Sequence, residues 1–252
     1  MAGRDEIIDF FDGLLEIERF DDYGPNGLQV PGRREVKRIA SGVTANLEFL
    51  TAAAERADLA IVHHGLFVGD GPRALTEQMA ARLRAVLGPE LSLAGYHLPL
   101  DAHPEVGNNA LLRGLLGLEP EEGEFGFAKG SPIGTIGRSA DGVPAAELID
   151  RVRKVTGREP LVFDAGPDLV RSAGIVTGGG AGNLAEAAAL GLDAFITGEP
   201  AEHVMGDARE AQVHFIAAGH YATETFGVRR LGDLAAERFG VEHEFIDIPN
   251  PV

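Results

Sequence analysis

The sequence contains no cysteine among its 252 residues. Disulfides, zinc-thiolate sites, iron–sulfur clusters and thiol nucleophiles are therefore excluded. The chain also lacks any run close to the roughly 18 to 20 consecutive apolar residues of a membrane helix. Its start, MAGRDEIIDFF, has no basic segment followed by an apolar one. We therefore expect a cytoplasmic protein without a membrane partner, in which any metal binds to His, Asp or Glu.

Positive charge is also scarce, with 22 basic against 39 acidic residues and a formal net charge of −17. No cluster of Lys and Arg appears that would attract a phosphate backbone, so the composition opposes nucleic-acid binding. Hydrophobic residues make up 44% of the chain, which is enough for a well-buried core. The length predicts one large or two small α/β domains.

Short apolar runs alternate with amphipathic helical stretches along the chain. Predicted strands at residues 37–43, 59–62 and 91–98 alternate with predicted helices at 47–56 and 75–87, after a first helix at 4–18 and a loop at 21–32. After a short strand at 133–136, helices at 145–156, 183–190 and 223–239 alternate with strands near 161 and at 173–176, 194–197, 213–217 and 244–248. This alternation predicts mostly parallel sheets, because parallel strands need crossover connections. The acidic, glycine-rich stretch from Glu119 to Gly142 suggests a boundary, which we place between residues 1–125 and 126–252.

Two apolar runs each lead into histidine and carboxylate side chains. In ADLAIVHHGLF, His63 and His64 follow a strand, and in LSLAGYHLPLDAH another strand leads to His97 and Asp101. Ligands gather at the carboxyl ends of strands in open α/β sheets. Neighbouring residues on a strand point to opposite faces. The two imidazoles therefore serve one centre only if the strand breaks into its loop at Gly65, and otherwise serve different ions. Pro99 ends strand pairing and places Asp101 in a loop.

A third segment, VHFIAAGHYATETFGVRRL, carries His220 and Glu224 four residues apart where a helix is predicted to begin. Side chains at this spacing share a helix face, so both can bind one metal or two neighbouring ones. The alternative is that Glu224 only complements the helix dipole and Thr223 caps the helix. That alternative gives no reason for His220.

Together the three segments supply three imidazoles and two carboxylates: His63, His64, Asp101, His220 and Glu224. These are too few to saturate two octahedral ions, so positions stay open for water or substrate, as in catalytic sites. We expect two divalent ions per chain, with Glu224 as the preferred bridging carboxylate. Nitrogen and oxygen ligands suit Zn, Mn, Fe, Co or Ni, and the sequence does not choose among these metals.

The motifs HHGLF, HLPLDAH and GHYATE, in this order, resemble the family of GTP cyclohydrolase 1 type 2 homologues, also called Nif-three-like dinuclear-metal proteins. The segments DYGPNGLQV and GLDAFITGEPAEH match as well, so the resemblance covers residues 20 to 228. It implies metal ligands at the five residues above and two interlocked α/β domains with the metal site between them. It also implies a toroidal homohexamer. His97 matches a family position too, and we assign it to orienting Asp101 or a substrate rather than to binding metal.

The sequence differs from the family pattern near the predicted metals. Gly65 stands where the family usually has Pro, and Leu98 and Pro99 stand in place of Thr and Asn. The functional expectation is a metal-dependent hydrolase acting on a nucleotide or another phosphate-bearing small molecule. The alternative is a non-catalytic metal-dependent regulator, metal-delivery protein or scaffold.

Two other kinds of motif compete with the metal site. In VTGGGAGNLAEA, Gly180, Gly182 and Ala185 fit the dinucleotide pattern G-x-G-x-x-A, with Glu199 further on. Glycines at a tight strand-to-helix turn need no ligand to explain them, so we expect no organic cofactor, although a phosphate contact near Asn183 stays open. The few serines form no G-x-S-x-G elbow. Ordinary surface or core roles are expected for the histidines without chelating neighbours, His103, His203, His214 and His243.

Overall fold

The computed structural model describes residues 1–69 and 74–252. The helices are α1 Arg4–Leu15, α2 Leu47–Arg56, α3 Glu77–Leu87, α4 Leu98–Ala102, α5 Asn108–Leu115, α6 Ala145–Thr156, α7 Leu184–Ala189, α8 Val204–Ala211, α9 His220–Thr223 and α10 Thr225–Phe239. Short 3₁₀ turns occupy Ile17–Arg19 and Ala181–Asn183. The strands are β1 Ala2–Gly3, β2 Gly27–Val30, β3 Glu35–Val36, β4 Arg38–Thr44, β5 Leu59–His64, β6 Ser92–Gly95, β7 Glu119–Glu121, β8 Phe127–Ala128, β9 Ser131–Pro132, β10 Thr135–Pro144, β11 Leu161–Phe163, β12 Leu169–Val176, β13 Ala194–Thr197, β14 His214–Ala217 and β15 Glu242–Phe245.

The contacts within the chain define two compact units. Unit 1 comprises residues 1–100 and 227–248, and unit 2 comprises residues 101–226 and 249–252. Residues 101–125, which include Asp101, thus group with unit 2, and the C-terminal run returns to unit 1. The boundary between residues 125 and 126, understood as one between separately folding domains, stays a prediction.

Unit 1 is built on a five-stranded sheet with strand order β15-β4-β5-β6-β2. The first four strands are parallel, and β2 adds to β6 in the antiparallel direction. On one face, α2 and α3 bury Phe49, Leu50 and Val86 against Val62 and Leu93 of the sheet. Because β4, β5 and β6 are parallel, the ends of β5 and β6 lie at the same edge of the sheet, which brings the histidines that follow them into one region.

Unit 2 is built on a six-stranded mixed sheet with strand order β11-β14-β13-β12-β10-β7. Its three central strands, β12, β13 and β14, are parallel, whereas β11, β10 and β7 are antiparallel to their neighbours. Leu112 and Leu116 at α5, with Leu148 and Val152 of α6, pack on the apolar side chains of the central strands. The segments after the parallel strands, which carry Gly178, Glu199 and His220, meet at one edge.

The predicted α/β class is confirmed, and most predicted elements match within a few residues. The strand expected at residues 133–136 instead runs from Thr135 to Pro144. Three other local predictions were wrong. The segment at 21–32, expected to be a loop, contains the strand β2, which lies between Pro25 and Pro31 and pairs with β6. Asp101 lies in α4 and not in a loop, because proline fits the first turn of a helix as well as it ends a strand. The helix expected from Thr223 is two helices, α9 and α10, interrupted at Glu224.

Among the described residues, no helix combines the length and the apolar character that crossing a membrane requires.

Candidate metal centre

His63 and His64 are the last two residues of β5, and strand pairing continues as far as His64, whose Cα is opposite that of Thr44. Their imidazole ring centroids nevertheless lie only 4.8 Å apart. His63 is fully buried, and its Nδ1 lies 2.9 Å from the carbonyl oxygen of Tyr96. His64 Nδ1 lies 3.0 Å from the hydroxyl of Thr44. Because a carbonyl oxygen only accepts, His63 Nδ1–H is the donor, and in the neutral ring Nε2 then carries the lone pair. The Thr44 hydroxyl is a partner for either tautomer of His64.

His97 lies beside this pair, with its ring centroid 5.0 Å from that of His63 and 5.7 Å from that of His64. Nitrogen atoms of the three rings lie within 4.8 Å of one another, a spacing that suits a shared metal ion. We predicted an outer role for His97, whereas its position would also let it bind metal directly. Three imidazoles with Nδ1 held by a hydrogen bond fit a divalent transition metal, because metal-bound histidines usually donate their other ring N–H.

Asp22 holds His97 in place, and the sequence did not point to it. Its Oδ1 accepts from His97 Nδ1 at 2.7 Å, and its Oδ2 accepts from the backbone N–H of Leu98 at 2.9 Å and from Asn26 Nδ2 at 2.9 Å. Although burial raises the pKa of Asp22, the hydrogen bond and the charge of His97 outweigh that effect, so the net pKa is below its ordinary value. Asp22 is therefore a carboxylate that fixes the orientation of His97.

In unit 2, Asp101 is buried among polar side chains on α4. Its Oδ1 accepts from Asn108 Nδ2 at 2.8 Å and from the Thr177 hydroxyl at 3.3 Å. A carboxylate oxygen of Asp101 lies within 4.8 Å of one of Glu224. Two buried carboxylates this close repel each other, and a cation between them would relieve that repulsion.

His220 lies between two carboxylates of unit 2. Its Nε2 lies 3.1 Å from Glu224 Oε2, and its Nδ1 lies 2.5 Å from Glu199 Oε1. Burial lowers the pKa of His220, but the hydrogen bonds and charges of Glu224 and Glu199 raise it by more than burial lowers it. The net pKa is about 9, against an ordinary value of 6.5. This ring is thus protonated at neutral pH in the metal-free protein, in a place where a metal would provide the same positive charge.

Gly178 makes room for the Glu224 carboxylate. It has a φ of +65°, and a Cβ at this position would come within 2.0 Å of Glu224 Oε1. Gly178 and Glu199 belong to the segments that resemble a dinucleotide motif. Glu199 is hydrogen bonded to His220, and the helix after the glycines, α7, has only six residues. The local geometry therefore accounts for Gly178 and Glu199 without a dinucleotide.

The structure thus brings the predicted ligands together within each unit: His63 and His64 in unit 1, and Asp101, His220 and Glu224 in unit 2. Their grouping into one centre with two ions stays a prediction. Sequence reasoning missed Asp22 and the role of Glu199. No local spacing could reveal Asp22, because it is 75 residues from His97.

Comparison with known proteins agrees with these motifs. A profile of the family Duf34/NIF3 (NGG1p interacting factor 3) matches residues 2–251. The chain belongs to the Duf34/NIF3 family. Curated members named "GTP cyclohydrolase 1 type 2 homolog" are similar throughout: the Pseudomonas aeruginosa protein is 46% identical over 247 residues, which cover 97% of each chain. The Deinococcus radiodurans protein is 42% identical over 248 residues, covering 98% of this chain and 94% of its own.

Solved structures of similar proteins share the Duf34/NIF3 fold. The protein ybgI, described as of unknown function, is 40% identical with a TM-score of 0.93, and all of each chain is covered. A protein of Thermus thermophilus is 37% identical with a TM-score of 0.89, again with full coverage of both chains. Reduced HcgD from Methanocaldococcus jannaschii has a TM-score of 0.85 at 23% identity over 98% of each chain, which shows the fold alone.

Proposed function

We propose that this Duf34/NIF3 protein is a metal-dependent hydrolase that cleaves a phosphate-bearing small molecule or nucleotide. The observation that carries the proposal is the position of His63, His64 and His97, which line the wall of a pocket of about 260 Å³ in unit 1. A purely structural metal site is closed by its protein ligands, whereas a catalytic site borders space for a substrate. Imidazoles that lie at a pocket wall, with Nδ1 held by a hydrogen bond, fit a catalytic site.

We propose His63, His64, Asp101, His220 and Glu224 as the ligands of two divalent ions, drawn from Zn, Mn, Fe, Co or Ni. When bound, such a pair would polarise a phosphoryl oxygen and stabilise the charge that develops in the transition state. Among the residues, Asp22 would fix His97 and Glu199 would orient His220. Glu224 is the candidate bridging ligand, because it lies within reach of both His220 and Asp101.

The test is turnover of a panel of phosphomonoesters, phosphodiesters and nucleotides, GTP included, by the full chain loaded in turn with each metal. We expect hydrolysis of at least one member, abolished by a chelator and by His64→Ala. Metal binding without turnover of any member above background would reject the hydrolase and leave the non-catalytic regulator, delivery protein or scaffold. Elemental analysis of the purified protein measures the number and identity of the ions.

We also propose that the chain forms a toroidal homohexamer in the cytoplasm, which rests on the sequence resemblance alone. Sedimentation should give a species of six times the 26.6 kDa chain mass at micromolar concentration. A species near the mass of a single chain would contradict the assembly without affecting the metal site.

A further inference from the structure

The pocket beside the three imidazoles of unit 1 has a largely apolar wall with aromatic side chains. Tyr23, Pro25, Phe67 and Val68 contribute to its lining. Tyr23 is 47% exposed, Phe67 40% and Val68 61%, so apolar side chains are left facing solvent around the histidines. With a volume of about 260 Å³, the pocket is slightly smaller than the roughly 300 to 1,000 Å³ of sites for whole drug-sized ligands, and suits one ring system.

Backbone contacts fix the two loops that form this wall. The N–H of Gly69 donates to the carbonyl of Tyr23 at 2.5 Å. Gln29 joins the same loops, because its Nε2 donates to the Pro25 carbonyl and its Oε1 accepts from the N–H of Leu66, both at 2.8 Å. A Cβ on Gly24 would lie 2.1 Å from the Phe67 carbonyl oxygen, so the loops are in direct contact. The pocket is therefore formed before any ligand enters, which lowers the entropy cost of binding.

The amide side chains of the lining are already engaged within the protein. Asn26 accepts from the N–H of His97 at 2.8 Å and donates to Asp22 at 2.9 Å. Gln29 uses both ends of its amide in the loop contacts described above. Reading the edge of a nucleobase requires amide, carboxylate or backbone groups directed at it. The Asn26 and Gln29 amides are committed elsewhere and do not provide such groups.

We propose that this pocket binds a flat aromatic ring of the ligand by stacking on Tyr23 or Phe67, and does not distinguish one nucleobase from another. The inference deepens the proposed function and rests on it, since the ring would belong to the phosphate-bearing substrate whose phosphate reaches the imidazole edge. Stacking on an aromatic side chain tolerates any base because every base has a π face. A guanine-specific pocket would need hydrogen-bonding groups that the two amides do not supply.

The experiment uses ligands without phosphate, so that it is independent of hydrolysis. Binding of adenosine, guanosine, uridine and ribose to the full chain is measured by calorimetry, with a chelator present. We expect the three nucleosides to bind with dissociation constants within about tenfold of each other, and ribose to bind at least about tenfold more weakly. Phe67→Ala or Tyr23→Ala should weaken nucleoside binding by about fivefold or more, whereas Phe67→Tyr, which keeps the ring, should not.

Phe127→Ala is the matched control, because Phe127 is a 45% exposed phenylalanine in unit 2. It should leave nucleoside binding unchanged. Binding of guanosine alone, binding of ribose as tight as that of adenosine, or no loss in both Ala variants would each overturn the inference. Nucleoside binding without turnover of the phosphate panel would reject the proposed hydrolase and keep the aromatic pocket. Turnover of a phosphate ester without an aromatic ring, together with no nucleoside binding, would keep the proposed hydrolase and reject the aromatic pocket.

Discussion

His97 donates its Nδ1 hydrogen to Asp22 across 2.7 Å, and the Asp22 side chain is only 2% exposed. Both carboxylate oxygens of Asp22 accept hydrogen bonds. A neutral amide, which has only one accepting oxygen, could not replace both of them. The pair therefore links the loop before β2 to the histidine that follows β6.

Replacing this carboxylate with an amide tests its role. In Asp22→Asn, an NH₂ group that takes the place of Oδ2 faces both the Leu98 N–H and the Asn26 Nδ2 group. These two donors then lack an acceptor. We expect metal affinity to fall by about 10- to 100-fold and the free energy of unfolding by about 1 to 3 kcal/mol. Metal titration and denaturant unfolding measure the two effects. Asp21→Asn, at an exposed neighbouring position, is the control, and equal affinity in both variants would contradict the orienting role.

The Glu224→Gln substitution tests the bridging role. It keeps the side-chain volume and removes the charge that holds two cations close together. Bound metal should fall from two per chain toward one or none, while circular dichroism shows an intact fold. Glu210→Gln, on the exposed face of α8, should keep full occupancy. Two ions per chain in Glu224→Gln, measured by elemental analysis, would refute the bridge.

Gly178→Ala tests the space that this carboxylate needs. The new methyl group would overlap Glu224 Oε1, so the carboxylate must move and metal occupancy should fall. Gly191→Ala separates this effect from backbone strain. Gly191 has almost the same φ, +66°, but nothing lies within 4 Å of the place that an added methyl group would occupy. We expect both variants to be destabilised and only Gly178→Ala to lose metal; equal metal content in the two would exclude the steric explanation.

The raised pKa of His220, about 9 against an ordinary value of 6.5, predicts how metal-free protein responds to pH. The folded state holds the proton more tightly than the unfolded state does. This stabilisation is therefore fully present below about pH 6.5 and is lost as pH rises through about 9. Metal binding must displace the same proton, so affinity should rise with pH up to about 9. Calorimetry at pH 7.5 in buffers of different ionisation enthalpy should detect the released proton, and a His220→Ala variant should release fewer.

Ser41, His243 and Asp233 have the hydrogen-bond order of a hydrolytic triad without its accessibility. His243 Nε2 lies 2.7 Å from Ser41 Oγ, and His243 Nδ1 lies 2.9 Å from Asp233 Oδ1, but Ser41 is fully buried in β4. We expect Ser41→Ala to lower the free energy of unfolding by about 1 to 3 kcal/mol, since His243 loses a buried partner. Any hydrolytic activity should be unchanged. A loss of activity in a variant that stays folded would contradict a purely structural role.

The sequence was informative about the position of the proposed ligands, because each follows an apolar run that is recognisable as a strand. β5, which ends in His63 and His64, is such a run, and the i,i+4 spacing of His220 and Glu224 predicted the contact seen at 3.1 Å. The orienting carboxylates were not predictable in this way. Glu199 bonds to a histidine 21 residues away, and only the parallel order of β13 and β14 brings them together.

The errors in secondary structure have similar causes. β2 has four residues, and its strand character depends on pairing with β6 far along the chain. The strand expected at residues 133–136 is the ten-residue β10, whose exposed Arg138 and Asp141 hide its length from a hydrophobic pattern. Pro99 is compatible with both a strand end and a first helical turn, and the local sequence does not decide between them.

The pairing of β15 with β4 has a consequence for synthesis of the chain on the ribosome. Residue 242 pairs with residue 38, so the nascent sheet of unit 1 waits for its edge strand until translation has passed residue 242. At about 5 to 20 residues per second, that interval is on the order of ten to forty seconds. During it the edge of β4 has unpaired backbone groups that other nascent chains can join. A chain that ends before residue 242 would leave that edge permanently open, and we expect it to aggregate rather than accumulate as a shorter folded protein.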